Sequence, residues 1–394
     1  MRKLLFIIVL LPLLGAAGWW YFHEQTLPDY GPAYREYAYV SNGKSNTVSV
    51  IDLRTFELAK TIPVGLSPTG IAINRKKNEV YVVNSGSNNV SVIDAEKNAV
   101  VATIGVHGRP YFIDVAEDGR RAYVANSGSA NVSAIDLDKH VVLGNVRVGS
   151  APGLARVSPD GATVVVSNRG DNTVSLIDAK VLRVRATLPV CQQPEDIAIL
   201  PDSSKAFVAC SGSSQVASIG LAANNAGAPV SDRVLALLDV GRTPVSLTLK
   251  PDGGEMMVCD FDSDSVSIIE TANDEVGSSV LIGQHPARGL VTLDNSRLYV
   301  SNFGSDSVAV YDIDLGRRIA TMPVGSRPEG LALSQDQSYL LVLDTQAGDV
   351  TVIQKRTARK LEPTEYSLLT MIPVGLQPNG IAVKAFMVTA PKTK

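Results

Sequence analysis

Cysteine is scarce: there are three in 394 residues, with no C-x-x-C pair. That excludes a disulfide scaffold, a zinc ribbon and a c-type haem attachment. Histidine occurs four times and tryptophan only at Trp19 and Trp20. No H-E-x-x-H, nucleophile elbow or phosphate loop is present, so motif-borne metalloprotease, α/β-hydrolase and nucleotide chemistry are excluded. An excess of one charge is also lacking. Thirty-six Lys and Arg against 39 Asp and Glu leave a net charge of −3, and no global field recruits nucleic acid. What abounds is glycine (32), proline (21) and a 45% hydrophobic fraction. This is too apolar for a disordered chain and too rich in turn formers for a helical bundle.

The longest apolar run follows Arg2 and Lys3 and spans Leu4 to Phe22, without a charge. At ~1.5 Å per residue it would reach about 29 Å, the depth of a bilayer core. Two readings stay open for residues 1–22. A transmembrane anchor would place Trp19, Trp20, Tyr21 and Phe22 as an interfacial aromatic belt, with the basic end in the cytoplasm. A signal peptide would be cut near Gly15-Ala16-Ala17. Either puts the rest of the chain in the periplasm or outside the cell, anchored in the first case and secreted in the second. Residues 23–37 read as a polar, proline-broken linker.

From residue 38 to 390 an internal repeat dominates. The tetrapeptides Tyr39-Val-Ser-Asn42, Tyr81-Val-Val-Asn84 and Tyr123-Val-Ala-Asn126 recur as Tyr299-Val-Ser-Asn302 and in weaker form at 165, 207, 257 and 341. Their spacing is 42 residues throughout, apart from one interval of 50. Each unit holds four short runs rich in Val, Ile, Thr and Tyr, punctuated by Asn, Gly, Ser and Asp, which reads as four β-strands. A four-stranded unit of that length, repeated, predicts an all-β propeller. Strand a starts at the recurring proline, b is the Tyr-Val-x-Asn run, c the Val-x-Val-Ile-Asp run and d the Ile-Pro-Val-Gly run. The chain then begins at b and ends with a lone a, Asn379-Gly-Ile-Ala-Val383. Pairing that strand with the first b-c-d set closes an eight-bladed ring without an open edge; seven blades is the alternative. Residues 391–394 are left as a tail. Two eight-residue insertions fall between strands c and d, at Leu221–Arg233 and around Lys355, Arg356, Arg359 and Lys360.

These Tyr-Val-x-Asn, Asn-x-Val-Ser-Val-Ile-Asp and Ile-Pro-Val-Gly-x-x-Pro runs resemble the YVTN-type propeller repeat family, which includes YncE-like and surface-layer proteins. More distantly the chain is similar to the eight-bladed haem d1 propellers. The resemblance implies the fold; it implies no single activity. It does imply that a tetrapyrrole-binding oxidoreductase or cofactor-assembly protein, or a lactonase-like hydrolase, are alternatives to a non-catalytic binding module. The tryptophan motifs of quinone-dependent propellers are missing.

Aligned units expose the side chains that depart from the repeat. Arg109, His285 and Arg327 precede the recurring prolines, Tyr111 follows one, and Arg169 and Arg288 depart nearby. Around one opening they would form a funnel for a small anionic ligand, unless Glu195, Asp196 and Glu329 already pair with the arginines. The other partner class is a protein docked on the same face. His107 or His285 would be the axial ligand if a haem-like tetrapyrrole bound; no other metal site is expected. Asp260, Asp262 and Asp264 alternate in a hairpin and read as turn caps. Cys191 and Cys210 fall at the same end of adjacent strands and are a candidate disulfide, with Cys259 left free.

Overall fold

A computed structural model describes residues 30–222, 231–356 and 365–388. The anchor or signal segment, most of the linker, residues 391–394 and the middles of both insertions lie outside the described residues. Among the described residues no helix is long and apolar enough to cross a membrane.

Among the described residues thirty-two strands, β1 to β32 in chain order, make eight four-stranded antiparallel sheets. Strand β32 (Pro378–Met387) lies beside β1 (Tyr34–Asn42), with β2 (Thr47–Asp52) and β3 (Glu57–Pro63) completing that sheet. The ring therefore closes as eight blades by joining the two ends of the chain. Ser41 Oγ donates to Asn379 Oδ1 at 2.8 Å, and the Gly43 N–H donates to the Gln377 carbonyl at 2.9 Å. The first strand starts at Tyr34, inside the span read as linker. Contacts divide the described residues into the propeller, Glu36–Ala385, and a small unit to which residues 30–35 and 386–388 belong. In the latter the Val388 N–H donates to the Ala33 carbonyl at 2.9 Å.

Strands b and c are buried on both faces, as in Tyr81-Val-Val-Asn84, because each blade is sandwiched between two others. Tyr81, Val83 and Val92 of one blade pack with Ile113, Val124 and Ile135 of the next. Strand d forms the outer edge, and in β3 only Ile62 is buried.

The asparagine that ends strand b joins hydrogen bonding to close packing. Asn42 Nδ2 donates to Thr47 Oγ1 (3.1 Å) and Ser49 Oγ (3.0 Å), and Asn84 repeats this with Asn89 and Ser91. The glycine at the start of the preceding crossing lies against it. A Cβ on Gly65 would stand 2.7 Å from Asn84 Cβ, and one on Gly375 would stand 2.6 Å from Asn42 Cγ. Aligned units put Cys191 and Cys210 at this glycine and this asparagine. They are disulfide-bonded, with Cα atoms 5.6 Å apart. Free Cys259 is buried, and burial pushes its thiol up to about 12.

Candidate functional site

Eight innermost strands line the central channel. Six used below are β4 (Pro68–Ile73), β8 (Pro110–Val115), β12 (Pro152–Val157), β16 (Pro194–Ile199), β20 (Pro244–Leu249) and β24 (Pro286–Val291). The channel encloses a cavity of about 600 Å³, within the range of small-molecule sites. One side is small and apolar, with Ile71 and Ala72 of β4, Leu331, Ile381 and Ala382.

The opposite side is a chain of alternating charges. Asp114 of β8 accepts the Val157 N–H at 2.9 Å and faces Arg156 Nη1 of β12 at 3.6 Å. The Arg156 guanidinium also covers the Phe112 ring at 4.5 Å and stands 4.0 Å from Asp196. Its Nε is buried without a partner. Asp196 of β16 accepts the N–H groups of Ile197 (2.9 Å) and Leu247 (3.0 Å), which staples it to β20. Arg288 of β24 then reaches across β20 to Asp196 with a single contact of 3.3 Å. Arg169 Nη2 pairs with Glu195 at 2.8 Å. Burial against the wall raises the carboxyl of Asp114, with Arg156 opposing, and burial raises that of Glu329, with Arg288 opposing.

The structure gathers Tyr111, Arg169 and Arg288 on the cavity. Arg169 is committed to Glu195. Arg288 is half exposed on one contact, and a guanidinium offers five N–H donors, so it retains donors for a ligand. Arg109, His285 and Arg327 do not line the cavity. Their backbones explain why. Each has a left-handed φ (52°, 49° and 53°), and each N–H is held at 2.8 Å by an Asn or Asp side chain of the previous blade: Asn88, Asp264 and Asp306. These residues are structural corners whose side chains stand on the rim.

On that rim His107 accepts from Asn131 Nδ2 through Nδ1 at 2.8 Å if that nitrogen is unprotonated. His285 stacks on Phe261 with ring centres 4.6 Å apart, its Nε2 4.0 Å from Asp262. Asp262 also accepts from Thr243 Oγ1 at 2.6 Å, a turn-capping role. Among the described residues no cluster of three or more His, Cys, Asp or Glu could hold a metal ion.

Asp114 and Arg156 were missed in the loop-centred reading of the sequence. Their signal is the fifth residue of strand a. It is alanine at 72, 198, 332 and 382, so a charge in that register marks the channel wall.

The propeller fold is shared with proteins of low sequence likeness. The dihydro-haem d1 dehydrogenase NirN, solved in complex with DHE, superposes with a TM-score of 0.68 at 16% identity, over 88% of this chain and 74% of its own. A functionally unknown protein from Desulfotomaculum acetoxidans gives 0.60 at 16%, over 78% and 99%. Kuenenia stuttgartiensis hydrazine synthase gives 0.56 at 22%, over 70% and 91%. These likenesses establish the architecture alone. No curated protein matches the chain in sequence. Residues 152–362, over half of the chain, match the family model of the YncE-like β-propellers, and the chain belongs to that family.

Proposed function

We propose that this propeller is a non-catalytic binding module that takes a small amphipathic anion, a carboxylate on an apolar body, into its central channel. The observation that carries the reading is Arg288, a half-exposed cation on the cavity wall with one contact to Asp196. On the cavity's other side Ile71, Ala72, Ile381 and Ala382 carry no charge that would oppose an apolar body. The acidic residues of the wall are held by backbone N–H groups or arginines, and no bond-breaking step is assigned to them. The Cys191–Cys210 bridge supports an oxidising compartment. With residues 4–22 read as anchor or signal, the bridge supports a module on the outer side of the cytoplasmic membrane.

Calorimetric titration with cyclohexanebutyrate tests the proposal. Removing one charge-assisted pair costs roughly 1.5–3 kcal/mol, so Arg288→Ser should weaken binding by about ten- to a hundredfold. Arg109→Ser, on the rim, should leave it unchanged. Equal affinity of wild type and Arg288→Ser would remove the proposal.

A tetrapyrrole reading draws on the likeness to NirN. The residues present do not fit axial ligation in the channel: neither His107 nor His285 lines the cavity. No coordination is therefore assigned. A Soret band in protein from its native host, lost in His285→Ala, would restore that reading.

A further inference from the structure

At the first position after strand b the repeat carries small residues, Gly43, Ser85, Ser127, Ser211 and Thr345. Three units differ. Arg169 reaches into the channel, and two neighbouring blades, beyond the blade of Ser211, carry Phe261 and Phe303. The two rings are 5.9 Å apart. His285 stacks on Phe261 at 4.6 Å, and the Arg327 guanidinium covers Phe303 at 5.3 Å. The backbone holds this row rigidly: the Phe261 N–H donates to the Thr243 carbonyl and the Phe303 N–H to the His285 carbonyl, both at 3.0 Å. A solvated hairpin has no need of two half-buried phenylalanines where five other units use Gly, Ser or Thr.

The row and Arg288 belong to one neighbourhood. Arg288 follows His285 by three residues, about 10 Å at ~3.3 Å per strand residue. It pairs in register with Ser301, two residues before Phe303. A ligand with its carboxylate at Arg288 and an arm of that reach would bring its far end to the aromatic row. Aromatic faces select flat rings over saturated ones, since stacking depends on ring geometry beyond buried area.

We infer that the channel's ligand is a flat aromatic anion, its carboxylate on Arg288 and its ring system packed against the ledge of Phe261 and Phe303, face-on to one ring and edge-on to the other, since the two rings are tilted by 51°. This rests on the reading of Arg288 given above. The test compares 1-pyrenebutyrate with cyclohexanebutyrate on the full chain. Two ring contacts should favour pyrenebutyrate by about tenfold. In Phe261→Ser/Phe303→Ser, which restores the serine of other blades, that ratio should fall close to one. The single variant Phe303→Ser should give an intermediate ratio, and it serves if the double variant does not fold. A ratio near one in wild type, or a preference that survives both serine substitutions, overturns the ledge. Preference for pyrenebutyrate that depends on the phenylalanines but not on Arg288 retains the aromatic ledge and overturns the carboxylate site. Affinity that depends on Arg288 but not on the phenylalanines does the reverse.

Discussion

Asp344→Asn should stabilise the protein at neutral pH and flatten its stability profile between about pH 5 and 9. Asp344 occupies the position held by Asn42, Asn84, Asn126, Asn168 and Asn302 elsewhere. It is fully buried, its Oδ2 accepts from Thr351 Oγ1 at 2.6 Å, and its Oδ1, like that of Asp349 directly across the strand pair, has no donor. In the other blades an amide Nδ2 fills this gap, as from Asn84 to Asn89 at 2.7 Å. With two carboxyls, only a proton can. Burial and the nearby Asp349 carboxylate hold the Asp344 carboxyl well above its ordinary range, while Thr351 and the Gly325 N–H oppose this. A carboxyl raised in the folded state favours its protonated form there. Its contribution is complete below the unfolded value near 4 and is lost as pH rises through the folded value. Asp260, in the same position of another blade and pushed up to about 6 by burial, adds a smaller loss at lower pH. Removing a buried, poorly compensated charge gains on the order of 3 kcal/mol. Urea unfolding of Asp344→Asn at pH 5, 7 and 9 should show little gain at pH 5 and the largest at pH 9. A parallel offset at all three would contradict the shared-proton account.

The disulfide gives the second large effect. Cys191→Ser/Cys210→Ser should lose about 3 kcal/mol, the chain-entropy value for a loop of roughly 20 residues; the bridged cysteines are 19 apart. These two positions are the glycine–asparagine contact of the repeat. Cys191→Gly/Cys210→Asn should therefore recover part of that loss, because the introduced amide can donate to the Gln215 side chain opposite it, although Ala217 replaces the serine that is the second acceptor in other blades. Equal stability of the two double variants would show that the shared position has no bearing on the bridge.

Much of the fold was legible because repetition multiplies weak signals. One Tyr-Val-x-Asn run says little, but eight in register set strand order, blade number and the pairing of residues near 380 with those near 40. Legibility fell where the blade position and the side-chain role part company. Arg109, His285 and Arg327 stood out as departures from the repeat, yet a left-handed corner turns them to the rim. Asp114 and Arg156 sit in strand interiors, where alternation reads as core, and only a curved wall around a wet channel makes charge acceptable there. Phe261 and Phe303 were invisible singly, because adjacency around a ring is not adjacency along a chain.

The account turns on Arg288 as the ligand's contact, and the nitrogen-15 resonance of its Nε–H reports that directly. With the peak assigned through Arg288→Lys, cyclohexanebutyrate should shift it along a saturating curve that matches the calorimetric affinity, while the Arg109 peak stays in place. Binding with an unmoved Arg288 peak, or shifts confined to the rim arginines, would contradict the account.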